Sequence, residues 1–149
     1  MALRSLVAIT ALGSALAVLG CADAEARPPG GTPGETRGGD RTVRVGEEFT
    51  LAPGNAARTA GGFAVRFAGV AEDGRCPREV QCVWEGDAAV TVEITAAGAS
   101  PVVRELHTGR RFAAETTVGG RTVRLLGLSP AARRDGVPAA RYRARLTIG

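Results

Sequence analysis

An all-β domain, a small single antiparallel sandwich of about seven strands, is what the residues after position 40 predict. Apolar and polar side chains alternate with a period of two in several short runs. Phe63, Val65 and Phe67 alternate with Ala64, Arg66 and Ala68; Val90, Val92 and Ile94 with Thr91, Glu93 and Thr95; Tyr142, Ala144, Leu146 and Ile148 with Arg141, Arg143, Arg145 and Thr147. Such alternation buries one face of a strand and wets the other. Gly, Pro and Asp separate the runs, and helical periodicity is missing throughout this region. A small barrel is the alternative way to close so many short strands.

From the N-terminus, residues 1–20 read as an export signal. Arg4 provides the positive start, an apolar run covers 6–19, and the run ends at Val18-Leu19-Gly20-Cys21, which resembles a lipobox. The small Gly20 suits cleavage before Cys21, whose thiol then accepts lipid. Two readings compete with this one: an ordinary secretory signal cut near 22–24, and an uncleaved anchor, since no charge lies between Arg4 and Asp23. A spanning helix needs ~20 mostly apolar residues, and Thr10, Gly13, Ser14 and Gly20 weaken this one. The lipoprotein is the preferred expectation: an exported chain, anchored by lipid on Cys21 to the bacterial cell membrane or outer membrane. Several acyl chains hold a protein stably where one does not. Residues 21–40, rich in Pro, Gly and charge, cannot bury apolar surface and are expected to form a disordered tether. Its root-mean-square span is about 20–25 Å.

Residues 41–149 make the domain. Strands are expected at 42–45, 48–51, 63–70, 88–96, 102–107, 115–118, 121–126 and 142–148. Gly119-Gly120 suits a two-residue hairpin turn, whose central residues both need positive φ. The stretch 130–138 is expected to be a loop with at most one turn.

Composition narrows the function. All 19 basic residues are arginines, and the formal net charge of +4 includes Arg4 of the signal. One Trp, one Tyr and four Phe leave few platforms for stacking bases, and an exported protein seldom meets nucleic acid, so no nucleic-acid partner is expected. Of three cysteines, Cys21 is assigned to lipid. The remaining pair, Cys76 and Cys82, is expected to form a disulfide in an oxidising compartment. Closing so short a loop stabilises the fold by roughly 2 kcal/mol. A zinc site would need more ligands: His107 is the sole histidine, far along the chain, and Cys-x5-Cys is not a common zinc spacing. Neither metal nor cofactor is expected.

The segment 72–87, EDGRCPREVQCVWEGD, is the most distinctive. Asp73-Gly74 signals a turn, and Pro77 stiffens the loop between the cysteines. Trp84, two residues past Cys82, is expected to plug one end of the core beside the disulfide. The pattern Asp-x-Arg-Cys-Pro-x4-Cys-x-Trp-x-Gly resembles the signature of a widespread family of small exported bacterial proteins, many of them lipoproteins. Further parallels are the aliphatic strand before the motif, the stretch 123–130 and a last strand containing Tyr142. Gly74, Glu85 and Asp87 depart from the family's commoner Ser, small residue and Asn. No activity is attached to that family, so the resemblance implies a module and no mechanism.

Two readings of Asp73, Arg75, Pro77, Trp84 and Glu85 follow. In the favoured one Asp73 and Arg75 close the loop by local hydrogen bonds while Trp84 fills the core. In the other these residues form a recognition edge around the disulfide. Catalytic readings are weaker. Ser100 and Ser129 each precede proline and lie outside any Gly-x-Ser-x-Gly elbow, and the carboxylates Glu72, Asp73, Glu85 and Asp87 lack aromatic company for a sugar cleft. The row Arg141, Arg143, Arg145 either attracts anionic lipid or polysaccharide from an edge strand or is a solvated face, paired with acids such as Glu93 and discouraging edge-to-edge contact. The expected function is a non-catalytic binding or structural module in the cell envelope, with an envelope protein or polysaccharide as partner. A protease-inhibitor loop and, less favoured, a small hydrolase are the alternatives.

Overall fold

The alternating runs pair into two sheets. A computed structural model describes residues 39–149; the expected signal, Cys21 and the expected tether as far as residue 38 lie outside the described residues. Among the described residues nine strands form: β1 (Arg41–Thr42), β2 (Glu48–Leu51), β3 (Ala56–Arg58), β4 (Ala64–Asp73), β5 (Ala88–Thr95), β6 (Val102–His107), β7 (Glu115–Val118), β8 (Arg121–Ser129) and β9 (Arg143–Ile148). Their order is β1-β3-β4-β5-β6 in one sheet and β2-β9-β8-β7 in the other. Every neighbouring pair is antiparallel except the two-residue pair of β1 with β3, which is parallel. The expected β-sandwich is therefore the fold.

The period of two sorts the side chains as expected. Val65, Phe67, Val90, Val92, Ile94 and Leu106 point inward from the first sheet, and Phe49, Leu51, Val123, Leu125, Leu146 and Ile148 from the second. Each buried side chain of this size contributes on the order of 1.5–3 kcal/mol. One disulfide across a short loop contributes about 2 kcal/mol. The core therefore holds the sandwich, and the disulfide acts on the shape of one end.

Differences from the expected strands have local causes. β3 is an Ala-Ala-Arg segment with little β propensity. It becomes a strand because β4 offers Val65 opposite Ala57. β4 and β8 run past their expected ends, to Asp73 and Ser129. Register shifts between Phe67 and Gly69, between Val70 and Glu72, and between Leu125 and Gly127 interrupt the alternation. A bulge inserts an extra residue, so the strand continues while its pattern breaks. β9 is not the edge strand that the arginine row suggested: β2 and β8 flank it. Glu93 lies on β5 of the other sheet, so it is not the row's partner; the acid near Arg145 is Glu48, at 3.9 Å. Between β8 and β9 a turn is closed by Gly136 N–H on Arg133 O, and one 3-10 turn covers Ala139–Arg141.

The expected hairpin joins β7 to β8, with Gly119 at φ 56° and Gly120 at φ 77°. A Cβ on Gly119 would lie 2.5 Å from the Ala96 Cβ, while one on Gly120 would meet open space. Gly120→Ala is expected to cost about 1 kcal/mol from the left-handed backbone alone. Gly119→Ala adds the clash and is expected to cost about twice that or more. Urea unfolding midpoints of the two variants provide the comparison, and equal shifts would contradict this packing of the hairpin on β5.

Candidate functional site

The site grows from the β4–β5 hairpin. Asp73-Gly74 does not turn the chain, as its composition suggested. Instead the pairing runs on, with Gly74 N–H donating to Asp87 O at 2.7 Å and Cys76 N–H to Glu85 O at 2.9 Å. The strands approach so closely that a Cβ on Gly86 would lie 2.0 Å from Gly74 O, and Gly86 also has φ 71°. Only glycine fits there. The Cys76–Cys82 disulfide closes the tip, with the two Cα atoms 5.9 Å apart. Inside the tip, Val80 N–H bonds to Pro77 O. The tip is tied down: Arg78 N–H donates to Ala132 O at 3.1 Å, and Arg134 N–H donates to the Glu79 carboxylate at 3.2 Å. Pro77 and Val80 are half-buried, whereas Arg78, Glu79 and Gln81 are exposed.

Asp73 and Arg75 form a clamp between the sheets. The Arg75 guanidinium grips both carboxylate oxygens of Asp73, at 2.7 and 2.8 Å. It also donates to Leu128 O at 2.7 Å and Pro130 O at 3.0 Å, at the end of β8. The Tyr142 hydroxyl donates to Asp73 at 2.9 Å from the start of the last strand. The ion-paired side chains are only 13% and 12% exposed. Hydrogen bonds from Arg75 hold the Asp73 carboxyl below its ordinary value against the cost of burial, and Tyr142 helps. Burial, then the Asp73 carboxylate, pushes the Tyr142 hydroxyl up. These residues close the loop as the favoured sequence reading expects, and they reach across to the other sheet as well.

Trp84 does the opposite of what that reading expects. It is 67% exposed, next to Val83 at 92%. The expectation of a core plug fails because Val83 and Trp84 lie past the ends of β4 and β5, near the tip of the extended hairpin, where no facing layer covers them. Arg111 sits over the indole, 4.5 Å from the ring centroid. Val83, Trp84, Phe112, Arg110 and Asp87 line an open cleft of about 450 Å³. Glu85, also exposed, accepts a long bond from Arg110 N–H at 3.5 Å.

Asp87 organises the opposite wall. Its carboxylate accepts from Gly109 N–H at 2.7 Å and from the Thr108 hydroxyl at 3.3 Å, and it lies 2.6 Å from His107 Nδ1. Burial, the largest single influence, favours its protonated form. The bonds from His107, Gly109 and Thr108 together outweigh that and hold the carboxyl below its ordinary value. His107 stacks on Phe112 with ring centroids 4.9 Å apart. Its Nε2 is 3.5 Å from Glu105. Among the described residues no group of three His, Cys, Asp or Glu side chains is placed to hold a metal ion. The sequence reading weighed His107 and Asp87 separately and missed their contact. The signal was present: an antiparallel pairing of 88–96 with 102–107 brings the residue before the first strand beside the end of the second.

Of the expected site residues, Trp84 and Glu85 line the cleft, Asp73 and Arg75 form the clamp, and Pro77 with the two cysteines forms the tip. Cys21 lies outside the described residues. Compared with protein-family models, with curated proteins and with solved structures, the chain gives no match.

The clamp makes acid stability testable. Asp73 is more acidic folded than its ordinary 3.8. Its contribution is therefore complete above that value and disappears as the pH falls through the lowered folded one. Asp87 acts in the same direction. Asp73→Asn is expected to cost about 2–3 kcal/mol at neutral pH and to flatten the fall in stability below about pH 4. Urea titrations across that range measure both effects; curves parallel to the wild type would contradict the clamp.

Proposed function

We propose that this protein is an exported, lipid-anchored, non-catalytic binding module that holds another protein of the cell envelope in the cleft beside Trp84. The observation that carries the reading is the exposed Val83-Trp84 pair, facing Phe112 on a hairpin closed by a disulfide and pinned to the neighbouring loop. An exposed apolar patch with a charged rim is a common mark of a protein-binding surface. Glu85, Asp87, Arg110 and Arg111 supply the rim here. Trp and Arg are the side chains that most often dominate binding energy. Fixed walls reduce the ordering cost of association.

The export half of the reading rests on the signal-like residues 1–20, the Val18-Leu19-Gly20-Cys21 sequence and the disulfide. The resemblance of the 73–86 motif to exported bacterial proteins agrees with it. The protease-inhibitor alternative draws less support, because the bonds of Arg78 and Glu79 to residues 132–134 anchor the tip that would have to enter a protease.

A photo-crosslinking residue placed at Val83 or Phe112 of the tethered protein is expected to give one adduct of the same mass from both positions. Position Thr117 on β7 should give none. Trp84→Ala should abolish the adduct and weaken the isolated complex by about thirtyfold or more. Failure to crosslink at both cleft positions would defeat the binding reading. Cys21→Ser is expected to abolish metabolic lipid labelling and to release the protein from the membrane fraction; labelling that persists would remove the anchor.

A further inference from the structure

We infer that the outer face of the β2-β9-β8-β7 sheet carries a second site, separate from the Trp84 cleft, that binds the oxyanion groups of a linear polyanion along Arg143 and Arg145 of β9 and Arg141 of the 3-10 turn before it. Both innocent explanations of the arginine row fail in this fold. Guarding a sheet edge does not apply, since β9 lies between β2 and β8. Neutralisation by acids across the strands covers little of the row, reaching only Arg145, and that at a long distance. Opposite Arg145 stand Thr50 and Gly127, and opposite Arg143 stands Ser129. The acids of this face, Glu48 and Glu115, sit towards the other end, where Glu48 is opposite Thr147 and Glu115 binds Arg124 at 2.6 Å. Glu48 reaches Arg145 only at 3.9 Å, with both side chains more than half exposed.

Arg143 is prearranged. Its Nη1 donates to Ala140 O at 2.9 Å and to Tyr142 O at 2.7 Å. A guanidinium has five N–H donors in a rigid fork. With Nη1 occupied, Nε and Nη2 remain, the pair that meets a phosphate, sulfate or carboxylate in bidentate fashion. The floor is low: Gly127, Ser129 and Thr50 form a hollow of about 300 Å³ between Arg143 and Arg145. A second hollow, lined by Ser129, Pro130, Arg141 and Arg143, continues it. Arg143 and Arg145 are two residues apart on one strand, so their Cα atoms are roughly 6.5–7 Å apart on the same side. Anionic groups repeated along a chain can engage both.

A bilayer fits the face less well. The large exposed apolar side chains Val45, Val83, Trp84, Val103 and Phe112 all lie off β2, β9, β8 and β7. The face therefore has charge to attract headgroups and no large exposed apolar side chain to insert beneath them.

The test uses the domain with its tether and three probes: inorganic polyphosphate, inorganic phosphate and phosphatidylglycerol vesicles. Arg141→Gln/Arg143→Gln/Arg145→Gln is compared with a charge-matched control, Arg41→Gln/Arg44→Gln/Arg104→Gln. Polyphosphate binding is expected to weaken at least about tenfold in the row variant, with the log–log salt slope reduced by about two, while the control stays near the wild type. Equal losses in both variants would reduce the effect to net charge and overturn the site. Phosphate binding as well as polyphosphate, residue for residue, would overturn the linear register. Row-dependent binding to vesicles without binding to polyphosphate would assign the face to the membrane and overturn the polyanion.

Discussion

Arg75 stands where the two sheets meet, and its guanidinium serves both. One edge is held by the Asp73 carboxylate at the end of β4; two further donors go to Leu128 O and Pro130 O, at and just past the end of β8. Tyr142, just before β9, donates to the same carboxylate. An ion pair shielded from water to this degree is costly unless geometry and hydrogen bonding compensate it. Here both oxygens and two carbonyls are engaged, and no buried side-chain polar atom is left without a partner among the described residues. The constraint reaches outward. With β4 pinned at Asp73, the hairpin must leave the sandwich in a set direction, and everything beyond Cys76 is placed by that exit.

The apolar core and the clamp divide the work. Core side chains from both sheets provide most of the stabilisation, and they are indifferent to what happens past the strand ends. The clamp and the disulfide contribute a few kcal/mol between them, yet they decide which residues face water. The narrow passage at Gly86 keeps the two hairpin arms in contact, so Val83 and Trp84 have no route back toward the core. Across the cleft, Asp87 performs a similar service for residues 107–109 with a single carboxylate. The wall that carries Arg110, Arg111 and Phe112 is therefore held by the hydrogen bonds of Asp87 together with the stack of Phe112 on His107.

Two surfaces of different chemistry result. The cleft is apolar with a mixed charged rim, while the outer face of the second sheet is polar and cationic over half its length. On the proposed readings the cationic face offers a salt-sensitive hold on an extended polyanion and the cleft a shape-specific grip on a protein. The first depends on Coulomb attraction and on counterion release, the second on desolvating an indole. Neither surface needs movement of the sandwich, whose strands are locked by the shared core.

The fold was legible in the sequence because alternation is a local property. Val90, Val92, Ile94 and the Tyr142–Ile148 run announce their buried faces without reference to any partner, and Gly119-Gly120 announces its turn. The pairing of Cys76 with Cys82 was legible by counting. β3 was not, since Ala56–Arg58 becomes a strand only when β4 lies beside it, and the far ends of β4 and β8 were hidden by bulges that break the period. The site divided the same way. Asp73 and Arg75 sit two residues apart and could be read as a local pair, but their hold on residues 128–142 is a long-range contact that no spacing reveals. Trp84 was misplaced because hydrophobicity argues for burial, whereas burial requires a facing layer. Whether one exists is decided only when both sheets are assembled and the hairpin is seen to leave them. The sequence by itself determined the strands whose alternation is unbroken and which cysteines pair; the tertiary structure decided β3, the extended strand ends and which side chains are left in water, because pairing and exposure are properties of neighbours brought together by the chain.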